Sequence, residues 1–100
     1  KDGNYSNSLE NIVYVELLRR GYHVDIGKIE QKEIDFVARK LDETLYVQVA
    51  YQLPHHTRET DNLLNIKDNY KKIVLTGRYY EVEQIDGIPI IYIADWLLDE

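Results

Sequence analysis

Polar and apolar positions fall into blocks whose period changes along the chain. From about residue 8 to 20 the apolar side chains recur at helical spacing. At ~100° per residue, Val13, Tyr14, Val15, Leu17 and Leu18 form one broad sector, with Glu16, Arg19 and Arg20 on the other side. Ser6 or Ser8 stands where a helix N-cap is expected, and Gly21 where a helix stops. Tyr22 to Ile29 alternates as a strand, Glu30-Gln31-Lys32 forms a tight connection, and Glu33 to Lys40 reads as a second strand. Leu41-Asp42-Glu43 turns the chain into Thr44–Leu53. That run is nearly all apolar or aromatic, the pattern of a central strand buried on both faces. Pro54-His55-His56 breaks it, and Thr57 or Thr60 caps a second helix that carries Leu63, Leu64 and Ile66 to about Asp68. Lys72–Thr76 is a short buried strand closed by Gly77. Residues 78–87 read as irregular, with Asp86-Gly87 as a turn. Ile88–Ile93 is a last strand, and Ala94–Asp99 a terminal helix anchored by Trp96 and Leu97. The order α-β-β-β-α-β-β-α implies an α/β fold, in which a three-strand meander and a helical crossover build a mixed sheet with helices on both sides.

One acid breaks the pattern of the first helix. Glu10 falls inside the apolar sector, between Leu17 and Tyr14. A carboxylate aimed at a core needs a partner, a proton or a metal ion. Alternation puts Glu33, Asp35 and Val37 on one face of the second strand, and Ile34, Phe36 and Ala38 on the other. On the third strand Tyr46, Gln48 and Ala50 share a face opposite Leu45, Val47, Val49 and Tyr51. A hairpin between these strands sets Asp35 beside Gln48, and Glu10 closes the cluster from the covering helix. The runs Lys-Glu-Ile-Asp-Phe-Val-Ala and Leu-Tyr-Val-Gln-Val-Ala-Tyr thus come within one residue of a metal-nuclease pattern: Asp on one strand, then Glu or Gln, any residue and Lys on the next. Glu10 and Asp35 are the candidate metal ligands. With the neutral carbonyl of Gln48 they form an oxygen set that suits Mg²⁺. Hydrolysis also needs a cation to activate water and stabilise the transition state. That lysine position is Ala50, and Lys67 or Lys72 is the candidate replacement. The competing reading is structural: Asp35 pairs with a lysine or caps a turn, Gln48 bonds to a neighbouring strand or to Glu10, and each polar group is satisfied.

Composition narrows the classes. At 100 residues and 44% hydrophobic content, the chain makes one domain with a modest core. It holds no Met and opens on Lys1-Asp2-Gly3-Asn4, so it is expected to be part of a longer protein. No apolar run approaches the ~18 residues of a membrane helix. The absence of cysteine excludes disulfides and thiolate metal sites, and fits a reducing cytoplasm. A net charge of −6 argues against a general nucleic-acid binder, whose footprint is a basic stripe. The basic pairs Arg19-Arg20, Arg39-Lys40 and Lys71-Lys72 read as solvated surface. His55-His56 are adjacent and His23 is remote, a poor zinc set. No glycine-rich phosphate loop is present, so this chain does not itself bind a nucleotide in the P-loop manner. Of nine tyrosines, Tyr14, Tyr46 and Tyr51 fall at core-like positions, and Tyr79-Tyr80 in the irregular stretch read either as an exposed, adhesive pair or as local packing, the latter being favoured.

A family resemblance runs through these segments. Residues 8–22 (Ser-Leu-Glu-Asn-Ile-Val-Tyr-Val-Glu-Leu-Leu-Arg-Arg-Gly-Tyr), 32–38, 45–51, 68–76 (Asp-Asn-Tyr-Lys-Lys-Ile-Val-Leu-Thr) and Asp86-Gly87-Ile88 with Asp95-Trp96-Leu97 resemble the C-terminal domain of unknown function found behind a AAA+-type ATPase core in bacteria and archaea. That domain is in turn similar to the restriction-endonuclease-like, PD-(D/E)xK superfamily. The likeness covers nearly the whole chain, in order. It implies a restriction-endonuclease-like mixed sheet flanked by helices, in a parent ATP-binding protein whose N-terminal ATPase core is the partner in the same chain. By this resemblance Glu10 matches the helix acid, Asp35 the strand acid and Gln48 the second acid position, while Ala50 departs from the lysine. The implied function is a non-catalytic accessory domain with a vestigial nuclease site and no cofactor of its own, contacting the ATPase core, a partner or nucleic acid. A Mg²⁺-dependent endonuclease with a relocated lysine is the alternative, and a purely acidic interaction module a third reading.

Overall fold

A computed structural model describes residues 3–29, 32–53, 63, 66 and 68–99. Helix α1 spans Gly3–Arg19, so it begins earlier than its expected caps, and Ser6 and Ser8 lie within it. A serine inside a helix costs only a few tenths of a kcal/mol, which packing further along readily offsets. The helix ends as the glycine signal predicts. Gly21 takes φ +95°, its N–H donates to the Leu18 carbonyl, and the Tyr22 N–H donates to the Leu17 carbonyl. This 5→2 and 6→1 pair is a Schellman ending, with Tyr22 packed against the same cluster as Leu17.

The buried stripe of α1 is Leu9, Val13 and Leu17, at i, i+4 and i+8. The broader apolar sector expected from the sequence is corrected on one flank, because Val15 and Leu18 are half-exposed. An outer helix meets the sheet along one line only, so apolar residues beside that line stay at the rim.

Six strands follow: β1 (His23–Ile29), β2 (Lys32–Lys40), β3 (Glu43–Ala50), β4 (Lys71–Thr76), β5 (Gln84–Ile85) and β6 (Ile88–Tyr92), then helix α2 (Ile93–Leu98). They form one sheet in the order β1-β2-β3-β4-β6-β5. The first three pair antiparallel, β4 joins β3 and β6 in parallel, and β5 pairs antiparallel with β6. This is the expected mixed sheet, with one strand more than the sequence showed. Strand β5 lies in the stretch read as irregular, and two residues are too short to display a period. Its turn was legible: Asp86 and Gly87 take φ 53° and 85°, the positive pair a two-residue type I′ hairpin demands.

The expected second helix falls almost wholly outside the described residues, as do Pro54 and His55-His56. Its Leu63 is helical, and Leu63 and Ile66 are buried. Strand β3 is buried from Leu45 to Ala50, as a central strand should be, but it stops three residues short of Leu53. The ladder to β4 ends at Thr76, and the Gly77 N–H then points at the carbonyls of Ala50 and Tyr51. The sheet separates two apolar layers. Leu45, Val47, Val49, Ile73 and Leu75 meet α1 and the Ile93 and Trp96 side chains of α2, whereas Tyr46, Ala50 and Val74 meet Leu63 and Ile66.

Candidate functional site

Strand pairing fixes where the three expected site residues lie. The β2–β3 ladder runs regularly from Lys40 opposite Glu43 to Phe36 opposite Val47 and ends before Asp35. On the other side of β2 the register slips: Asp25 faces Val37, but Gly27 faces Ile34. One residue of β1, Ile26, therefore spans two of β2, Asp35 and Phe36, which is a β-bulge. Alternation along β2 reverses there. Phe36 and Ala38 pack on the α1 side, while Ile34 joins Val37 on the opposite side. The expectation that Ile34, Phe36 and Ala38 share a face is thus corrected, because a period of two holds only while the ladder is unbroken.

The β2–β3 ladder includes neither Asp35 nor Val49, although Val49 still pairs with Leu75 of β4, and side chains make the bonds missing between β2 and β3. The Asp35 N–H donates to Gln48 Oε1 at 2.6 Å, and the Val49 N–H donates to Asp35 Oδ2 at 2.8 Å. Gln48 is only 5% exposed and alternates onto the face of Tyr46 and Ala50. Asp35 also lines a cleft of about 280 Å³ on the α1 side, together with Glu10, Asn11, Tyr14, Ile26 and Phe36. The structure therefore brings Asp35 to Glu10 in one cleft and to Gln48 through the backbone, while Gln48 belongs to the sheet face away from α1.

Among the described residues, the Glu10 and Asp35 carboxylates share the cleft without the third donor and the cation that were expected. Two carboxylates meet the minimum that Mg²⁺ asks of a protein. The expected third donor, the Gln48 carbonyl, is engaged with the Asp35 N–H, and one Asp35 oxygen with Val49. Among the described residues no three His, Cys, Asp or Glu side chains are grouped to hold an ion. At the lysine position Ala50 is buried in the apolar layer with Leu63 and Val74. Lys67 lies outside the described residues. Lys72 is held elsewhere: its Nζ donates to Asp68 Oδ1 at 2.9 Å and to the Tyr70 carbonyl at 2.8 Å, over the Tyr46 ring. Burial raises the Asp68 carboxyl, but the bonds from Lys72, Tyr46 and the Tyr70 N–H outweigh it and leave the group below its ordinary range. Burial, then the bond to Asp68, pushes the Tyr46 phenol up to about 12.

The buried acid of α1 is Glu16, which the helical projection placed on the outer side. Arg19 grips both its oxygens at 2.9 and 2.8 Å, and Arg20 Nε adds a third bond at 2.7 Å. The bonds from Arg19, then Arg20, hold the carboxyl at about 2. Arg20 also donates through Nη2 to the carbonyls of Trp96 and Asp99, with its guanidinium 4.5 Å from the Trp96 ring centre. The network ties the end of α1 to the end of α2. The signal that could have found it is Glu followed by Arg at i+3 and i+4.

The chain is 68% identical over 98 residues to an uncharacterized protein of Haemophilus influenzae. The match covers 98% of this chain and 24% of that protein, so the chain spans about a quarter of the length of the curated relative it matches. No family model and no solved structure matches the chain.

Proposed function

We propose that this chain is an accessory domain of a larger, cytoplasmic AAA+-type ATPase, with a restriction-endonuclease-like fold whose hydrolytic site has become structural. It serves contact with the ATPase core, a partner protein or nucleic acid rather than cleavage. The observation that carries this reading is a pair of bonds: the Asp35 N–H to the Gln48 side chain, and the Val49 N–H to the Asp35 side chain. Both side chains that a nuclease would aim at a metal ion are used to complete a broken strand ladder. The packing of Ala50 among apolar side chains supports it, since a lysine there would have to bury its ammonium. The 24% coverage of the Haemophilus relative supports a place within a longer protein. Among the described residues no helix is long and apolar enough to cross a membrane.

The test is incubation of the protein with supercoiled and linear DNA in Mg²⁺ or Mn²⁺. No cleavage is expected above the level of an Asp35→Ala control. Metal-dependent cleavage that disappears in Asp35→Ala would overturn the proposal.

A further inference from the structure

A second cleft lies three strands away from that of Asp35, beside β6. It has a volume of about 620 Å³ and runs between residues 79–83 and the end of β6, with Asp95 of α2 at its rim. Its size falls within the range of ordinary ligand sites.

Backbone geometry opens one wall. Strand β5 pairs with β6 at Ile85 and Gln84, and the Ile90 N–H still reaches the Glu83 carbonyl at 2.9 Å. Upstream of Glu83 the chain leaves the sheet. Because Ile90 directs its N–H outward, alternation turns Ile91 toward β4 and directs the Tyr92 N–H outward again, at the cleft. The facing segment is built rather than loose. The Tyr80 hydroxyl accepts the Leu53 N–H at 2.8 Å, and the Arg78 carbonyl accepts the Thr76 hydroxyl at 2.7 Å.

Side chains set the chemistry of an occupant. Tyr79 is 64% exposed and meets Tyr92 edge to face, with ring centres 6.2 Å apart. Glu81, Glu83 and Asp95 are exposed on the same cleft, and none has an ion-pair partner among the described residues. They are not grouped closely enough to hold one metal ion. Carboxylates spread along a strand edge fit several cations on an extended chain, and tyrosine faces favour lysine or arginine. The same charge repels a phosphate backbone.

We propose that this cleft docks an extended, lysine- or arginine-bearing segment of a partner protein. The segment adds as a short strand beside β6, with its cationic side chains between the tyrosines and the carboxylates of Glu81, Glu83 and Asp95. Strand addition takes affinity from backbone bonds and specificity from alternate side chains. The proposal concerns a surface separate from the Asp35 cleft and stands whether or not the nuclease reading holds.

The probe is an eight-residue peptide of alternating lysine and threonine, titrated into the full ¹⁵N-labelled chain and followed by amide NMR shifts. The expected result is binding at tens of micromolar, as short strand additions give, with shifts confined to residues 79–83 and 90–92. A Glu81→Lys/Glu83→Lys variant should weaken it at least tenfold, and Tyr79→Ala several-fold. Both changes are at exposed positions, and unchanged amide spectra elsewhere verify the fold. A peptide with alternate amides replaced by esters should bind several-fold more weakly, because ester carbonyls are poorer acceptors for the outward Tyr92 N–H. Shifts outside this edge, undiminished binding by the double variant, or equal binding of the ester peptide would each overturn the proposal.

Discussion

Replacing Asp35 by alanine separates a structural acid from a catalytic one without an activity assay. The change removes the acceptor of the Val49 N–H, which lies at 2.8 Å in a residue only 7% exposed. A bond from a buried donor to a charged acceptor contributes about 1.5–3 kcal/mol, and leaving the donor unmet forfeits it. Asp35→Ala is therefore expected to lose about 2 kcal/mol. Asp35→Asn keeps a carbonyl oxygen at the same distance and should lose under ~1 kcal/mol. Gln48→Ala strands the Asp35 N–H and should lose about 1–2 kcal/mol. Because both bonds mend one break in the ladder, the double alanine variant should lose less than the sum by roughly 0.5–1 kcal/mol. Urea unfolding in EDTA measures the four variants and the parent protein free of any metal contribution. With a slope of ~1–3 kcal/mol per molar, Asp35→Ala should lower the midpoint by about 1 M. A ligand held in an unfavourable site behaves oppositely, since function is commonly kept at the expense of stability. Equal or greater stability of Asp35→Ala in EDTA would refute the structural reading.

Three further perturbations test the packing and the charges. A Cβ on Gly77 would sit 2.4 Å from Tyr51 Cδ1 and 3.1 Å from the Tyr51 carbonyl, so Gly77→Ala should lose ~1–3 kcal/mol and lower the thermal midpoint by several degrees, partly restored by Tyr51→Ala. Glu16 is held at about 2 against an ordinary 4.5, so its contribution is complete above about pH 4.5 and lost as pH falls toward 2. Solvent screening at the half-exposed Arg19 reduces that contribution to about 1–2 kcal/mol. Glu16→Gln should forfeit this at neutral pH and flatten urea stability between pH 5 and 2. Burial, then bonds to Glu43 and Asp68, raises the phenols of Tyr22 and Tyr46 to about 12. Ultraviolet titration should show Tyr22 and Tyr46 ionising late, each signal removed by its Phe substitution, with stability falling as pH rises from 10 to 12.

The elements that were legible in the sequence are those whose signal is local. Strand β3 announces itself by a nearly all-apolar run, the end of α1 by Gly21, and the β5–β6 turn by Asp86-Gly87. Three features escaped because they are settled by neighbours. Helical projection cannot say which side of α1 meets the sheet, so it favoured Glu10 over Glu16 as the buried acid. Strand β5 is defined by its pairing with β6 rather than by composition. The bulge in β2 is silent because Ile34, Phe36 and Val37 are all apolar and suit either layer.

That bulge governs the reading of the site. Proximity of Asp35 to Gln48 follows from the hairpin and was visible in the sequence. The direction in which each oxygen points was not, because it depends on which backbone groups the bulge leaves without a strand partner. Once the ladder breaks at Asp35, two N–H groups beside the buried strand β3 need acceptors, and an aspartate and a glutamine on adjacent strands can supply both. A glutamate at position 48 could accept the same N–H, but it would set a second carboxylate against Asp35 in a nearly dry environment. A lysine at position 50 would offset that charge. On the proposed nuclease-like reading, Gln48 and Ala50 go together: without the amine a second acid is costly, and the neutral amide keeps the strand bond at no cost in charge.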